Sequence, residues 1–304
     1  MMSAGEEVGG IYPIVYAFFD ARGRIDQALM RRQIEACLAG GAHGLACLGI
    51  ATEVGKLTPD ERREVLELAA TAAAGRVPLA VTVFGRTVEE QAAFVREAAA
   101  AGAGWVILQP PVIQDIDEAA LLRFFGGVAD ASPVPVAIQN APAYLGVGLS
   151  PDGLATLNRQ HPNVTVIKGE TSAVEIEAMV RATQGRFRVL NGRGGLEFTD
   201  NIRAGCVGMI PAPDCYDTQV RILELMQEGR EAEAEALYRE ILPAITFVMQ
   251  SIGSLLCYGK RLVAARLGLD PEAVVDRDPA MLPTPFGLAI TRRLAKELGP
   301  YPAR

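Results

Sequence analysis

Short apolar runs alternate with longer amphipathic segments through the first two thirds of the chain, and the two differ in period. The short runs suit strands buried on both faces; the longer, alanine-rich ones repeat their apolar positions with helical spacing. Eight strands are predicted in this way: Ile11–Phe19, Gly44–Gly49, Leu79–Phe84, Trp105–Gln109, Val134–Gln139, Val164–Lys168, Phe187–Asn191 and Val207–Pro211. Helices are predicted between them, among them Pro59–Ala74, where Thr58 supplies a cap and Pro59 a first helical residue, and Val88–Ala101. After Pro213 the alternation stops, and Tyr216–Glu228, Glu231–Gln250, Ile252–Leu267 and Pro285–Leu298 read as helix only. Strand and helix in eightfold alternation are what a closed parallel (β/α)8 TIM barrel requires. The expected organisation is an α/β chain with a barrel over residues 1–215 and a C-terminal helical region over 216–304, packed on the barrel and contributing to an oligomer interface.

Composition adds mainly exclusions. At 304 residues, half of them hydrophobic, the chain can bury a large core. Its net charge of −7 is spread without basic clusters, which argues against nucleic acid and against an anionic membrane surface. Five cysteines, at 37, 47, 206, 215 and 257, make no Cys-x-x-Cys pair and lie apart from His43 and His161, so they read as reduced, small apolar residues and no metal site is expected. The first ten residues carry two acids and no long apolar stretch, and no run approaches the roughly 20 residues that span a bilayer. A cytoplasmic location is the expectation.

Within this frame Lys168 is the residue that asks for chemistry. It ends the apolar run Val164–Ile167 and is followed by Gly169, Glu170 and Thr171. An ammonium taken out of water is disfavoured unless paired, so burial favours a neutral amine able to add to a ketone. The competing reading is a lysine whose stem packs while its head reaches water. In a barrel, reacting groups project from the C-terminal ends of the strands, and those ends are polar here: Thr52 and Glu53 after the second, Gln139, Asn140 and then Tyr144 after the fifth, Lys168 and Glu170 after the sixth, Asn191 and Arg193 after the seventh, with Ile210 at the eighth. That convergence favours catalysis by Lys168. His43 precedes the second strand and His161 precedes Pro162 in a loop, so neither is placed for catalysis.

Several of these features come together in one resemblance. Ile11-Tyr-Pro-Ile-Val15, Gly49 to Glu53 with Leu57-Thr-Pro-Asp-Glu-Arg62, Asn140-Ala-Pro142 with Gly146, and the strand ending at Lys168 resemble the dihydrodipicolinate synthase and N-acetylneuraminate lyase superfamily over nearly the whole chain. The resemblance implies that Lys168 forms a Schiff base with the 2-keto group of pyruvate or another 2-keto acid, with no other cofactor, and that the assembly is a homotetramer built from dimers. Gly49-Ile50-Ala51-Thr52-Glu53 lacks the paired hydroxyls usual in the synthases, Gln139 replaces a tyrosine, Val112 stands near where another is common, and Tyr144 replaces a carboxylate-binding arginine. These departures argue against lysine biosynthesis and resemble instead the branch that dehydrates 2-keto-3-deoxy sugar acids, as 2-keto-3-deoxy-L-arabonate dehydratases do.

Under that resemblance Glu170 is the base that removes a carbon 3 proton, or else an acid capping the next helix. Glu53 either binds substrate or pairs with Lys56 or Arg86. Thr52 is expected to hold the substrate carboxylate. Gln139, Asn140, Tyr144, Asn191 and Ile210 complete the expected substrate contacts, although Asn140 could equally tie down its own loop. A pyruvate-releasing aldolase, a dihydrodipicolinate synthase-type condensation, a hydroxypyrroline-carboxylate deaminase and a barrel that only senses keto acids are the competing functions.

Overall fold

The computed structural model describes residues 8–113 and 116–302; the first seven residues, on which part of the reading of the N-terminus rested, fall outside them. Eight parallel strands form one sheet: β1 (Gly10–Ile11), β2 (Leu45–Cys47), β3 (Leu79–Val83), β4 (Trp105–Leu108), β5 (Val136–Asn140), β6 (Val164–Gly169), β7 (Arg188–Asn191) and β8 (Gly208–Met209). The order runs from β2 through β7 to β8 and then β1, and the Ile14–Ala46 bridge joins the two edges. The sheet therefore closes into a (β/α)8 barrel, and every strand residue except Thr165, Asn140 and Arg188 is buried.

The first strand differs from its expected span. Its ladder covers only Gly10 and Ile11, because Pro13 has no N–H and the backbone beyond divides its bonds between two neighbours. Tyr12 N donates to Met209 O (3.0 Å) and Ile14 N to Pro211 O (2.8 Å), while Val15 N donates to Ala46 O (3.0 Å) and Ala46 N to Pro13 O (3.0 Å). The same residues thus seal the ring.

The helices follow in chain order: α1 (Gln27–Ala39), α2 (Pro59–Ala73), α3 (Val88–Ala100), α4 (Glu118–Ala129), the short α5 (Pro142–Leu145), α6 (Pro151–Gln160), α7 (Ala173–Ala182), α8 (Phe198–Arg203) and α9 (Tyr216–Gln227). Thr58 and Glu61 form a reciprocal capping box at α2, as do Ser172 and Glu175 at α7. Packed beside β1, α9 serves as the barrel's own eighth helix, with Tyr216 Oη donating to Ala36 O of α1. Beyond it come α10 (Glu231–Val248), α11 (Ile252–Ser254), a π-helical turn at Leu255–Gly259, α12 (Lys260–Arg266) and α13 (Pro285–Leu298). The bend between the end of α10 and the π-helical turn lies over the C-terminal ends of the strands and supplies part of the site.

Candidate active site

A pocket of about 540 Å³, counting its open mouth, lies at the C-terminal ends of the strands and holds Lys168 and Glu170 among its lining residues. Lys168 is 3% exposed, so its head does not reach bulk water. Its Nζ sits 2.7 Å from Glu170 Oε1, and the same oxygen accepts from Gln139 Nε2 at 2.9 Å. Two residues apart on an extended chain, Lys168 and Glu170 point to the same side. Extension persists past the end of β6, because Glu170 N still donates to Asn140 O of β5 (3.0 Å).

The capping alternative for Glu170 is settled by its neighbours. Ser172 caps α7 through its hydroxyl, while the Glu175 carboxylate receives Ser172 N and the hydroxyls of Thr171 and Ser172. Those donors hold the Glu175 carboxyl down to about 2. Glu170 is left facing the amine. Gly192, opening the loop after β7, makes the arrangement possible: a Cβ there would stand 2.7 Å from Lys168 Cε and equally close to Glu170 Cγ and Oε1.

Tyr144, on α5, and Ile210, just past β8, also line the pocket. Gln139 is buried behind it, holding Glu170. The other expected contacts are engaged elsewhere. The Thr52 hydroxyl donates to Val15 O at 2.6 Å, which ties the loop after β2 to the chain beyond β1. Glu53 pairs with Lys56 (2.6 Å) and with Lys260, a buried lysine of α12. Asn140 binds both the N–H and the carbonyl of Leu149, so it fastens its own loop. Asn191 donates to Thr171 O and Asn201 Oδ1 and accepts from Arg193 N, while the Arg193 guanidinium pairs with Glu197 at 2.7 Å. His43 accepts from Ile11 N, and His161 meets Asp130 at 2.7 Å; neither lines the pocket.

Sequence reasoning missed most of the pocket wall: Ile14, Ile50, Ala51, Gly192, Gly194, Ala212, Met249, Ser251, Ile252 and Leu255. The last four come from the all-helical region, where no strand-end rule applies. A sharper signal was available in Gln250-Ser-Ile-Gly253, whose polar break between two apolar helices marks a bend.

An amine and a carboxylate in contact at the mouth of a closed barrel invite comparison with known proteins. The family model described as the dihydrodipicolinate synthetase family matches residues 7–280. The chain belongs to the dihydrodipicolinate synthetase family. Among its relatives in that family is L-2-keto-3-deoxyarabonate dehydratase of Azospirillum brasilense, 30% identical over 255 residues that cover 81% of either chain. A 4-hydroxy-tetrahydrodipicolinate synthase of Thermus thermophilus is 32% identical over 206 residues, covering 67% of this chain and 68% of the relative. The crystal structure of YagE from Escherichia coli K12 superposes with a TM-score of 0.87 at 24% identity, covering 96% of this chain and 99% of that one, and confirms the fold. Like other members of the dihydrodipicolinate synthetase family, the chain is an enzyme of the lyase type.

Proposed function

We propose that the protein is a Schiff-base-forming dehydratase of 3-deoxy-4-hydroxy-2-keto acids, the class that includes the 2-keto-3-deoxy sugar acids. The observation that carries this reading is the 2.7 Å contact between Lys168 Nζ and Glu170 Oε1 inside the pocket. The name of the Azospirillum relative supports it.

In this scheme Lys168 gives a proton to Glu170 and adds through its lone pair to carbon 2 of the keto acid. Loss of water from the carbinolamine leaves a protonated imine, which acidifies the hydrogens on carbon 3. Glu170, fixed by Gln139 and already beside the nitrogen, removes one of them once it has passed its first proton to the departing water. The electron pair forms the enamine and then expels the carbon 4 hydroxyl as water. Tyr144, the phenol lining the pocket, is the proton donor to that leaving group. Hydrolysis of the imine frees Lys168. The substrate carboxylate meets the backbone N–H groups of the loop after β2 that carries Ile50 and Ala51.

Incubation with pyruvate and borohydride is expected to leave a stable adduct on Lys168, found by peptide mass analysis. Incubation with 2-keto-3-deoxy-L-arabonate is expected to yield a semialdehyde of unchanged carbon count. Release of pyruvate instead would establish the aldolase alternative, in which the base takes the carbon 4 hydroxyl proton and the bond between carbons 3 and 4 breaks. Absence of any adduct with keto acids would leave only the sensing alternative.

A further inference from the structure

Around the reactive pair the pocket is hydrocarbon. Ile14, Ile50, Ile210, Met249, Ile252 and Leu255 enclose the space beyond Lys168 and Glu170. Most of the polar side chains that the strand ends carry are bound to the protein itself: Thr52 to Val15 O, Glu53 to Lys56 and Lys260, Asn140 to Leu149, and Asn191 to Thr171 and Asn201, while Gln139 gives its Nε2 to Glu170 and keeps a buried, unpartnered Oε1. Arg193 is held by Glu197. Ser251 lines the mouth; its oxygen accepts from Ser254 N as the cap of α11, which leaves its O–H as a single side-chain donor at the rim. Once Tyr144 is used at carbon 4, little remains among the described residues that line the pocket to receive the hydroxyls of a polyol. A hydroxyl desolvated without a partner weakens binding, whereas a methylene in the same place strengthens it.

We infer that the preferred substrate is a 4-hydroxy-2-keto acid whose carbon 4 bears an alkyl or aryl group rather than a hydroxylated chain. The inference rests on the Schiff-base reading of Lys168 and narrows it to a substrate class. Its chemistry has one distinctive consequence. A sugar acid carries a hydroxyl on carbon 5, so the double bond between carbons 3 and 4 can migrate to give an aldehyde. An alkyl or aryl substrate has no such hydroxyl. It loses the carbon 3 proton and the carbon 4 hydroxyl as one water and stops at a conjugated 2-keto-3-enoic acid, with no change of oxidation level and no co-reactant.

The experiment compares kcat/KM for 4-hydroxy-2-oxohexanoate and 4-hydroxy-4-phenyl-2-oxobutanoate with that for 2-keto-3-deoxy-L-arabonate, following the enone by its ultraviolet absorbance and the semialdehyde by mass. The expected ratio for the better apolar substrate is about 100 in its favour, the scale on which an apolar pocket distinguishes a hydroxyl. A ratio at or below one overturns the inference. Ile252→Ser, at a position 37% exposed and therefore tolerant, is expected to lower the ratio severalfold by offering the polyol a hydroxyl. An unchanged ratio in that variant, with the adduct still formed, also counts against an apolar wall as the determinant. The borohydride adduct with pyruvate separates the two levels. Its loss defeats the assignment of Lys168, while its presence together with a preference for the polyol defeats only the substrate class.

Discussion

The chemistry concentrates in Lys168, Glu170 and Gly192, and each supports a different measurement. Lys168→Arg keeps a cation beside Glu170 but cannot form an imine, so the borohydride adduct is expected to disappear while the fold persists. Glu170→Gln still yields the adduct with pyruvate, but more slowly because Glu170 also takes the proton of the amine, and it slows turnover about 10²- to 10⁴-fold, the usual contribution of a positioned base. Gly192→Ala drives a methyl group into Lys168 and Glu170, and a displacement of that kind lowers kcat about 100-fold with little effect on the melting temperature. Away from the pocket, Asp214 is buried against Tyr16, whose hydroxyl donates to it at 3.0 Å, and burial pushes its carboxyl up to about 7. In the unfolded chain the group ionises near 3.8, so the native state binds the extra proton between these values. Its stabilising effect is complete below 3.8 and is lost as pH rises towards 7, a difference of about 4 kcal/mol. Thermal melts of Asp214→Asn and wild type from pH 4 to 8 should therefore show the variant gaining relative stability as pH rises. The residue types at the strand ends were legible in the sequence; their directions were not. Thr52, Glu53 and Asn191 stand one or two positions from a pocket residue and Asn140 four from Tyr144, and only the local hydrogen bonds and ion pairs decide that they bind the protein instead of facing the substrate.

At the scale of elements, the strand and helix pattern was readable because buried parallel strands and amphipathic helices carry different periods. What periodicity could not convey is where an element stops pairing. The stretch after Ile11 looks like a strand throughout, yet Pro13 and the change of partner from β8 to β2 turn it into the seam of the ring. Nor could it show that α12 reaches back to the loop after β2. Lys260, 1% exposed and lying over the Phe19 ring at 5.2 Å, pairs with Glu53, while Arg261 beside it holds Asp276 at 2.6 Å. Desolvation lowers the pKa of Lys260, and Glu53 is among the groups that oppose that shift. Glu53→Ala removes this partner and leaves Asp276 at 3.9 Å, so a loss approaching the 3–5 kcal/mol typical of a broken buried pair is expected in urea unfolding. Because that loop also carries Ile50 and Ala51, KM should rise in the same variant.

For the molecule as a whole, all five cysteines are free and buried, and burial raises their thiols, Cys47 and Cys206 to about 12. The folded protein should resist a disulfide-exchange reagent and release five equivalents on denaturation; rapid reaction of any thiol in the native state would contradict the packing. No single helix among the described residues is long and apolar enough to cross a membrane. The barrel encloses the amine from below, but Met249, Ile252 and Leu255 cover it from the side and belong to the last fifth of the chain. During synthesis the nucleophile therefore emerges from the ribosome long before its cover does. A nascent chain halted before residue 249 would present an amine to open water with nothing to seat a ketone against it, so competence arrives late and in a single step, and truncation from the C-terminus should silence the enzyme while strand pairing is still intact.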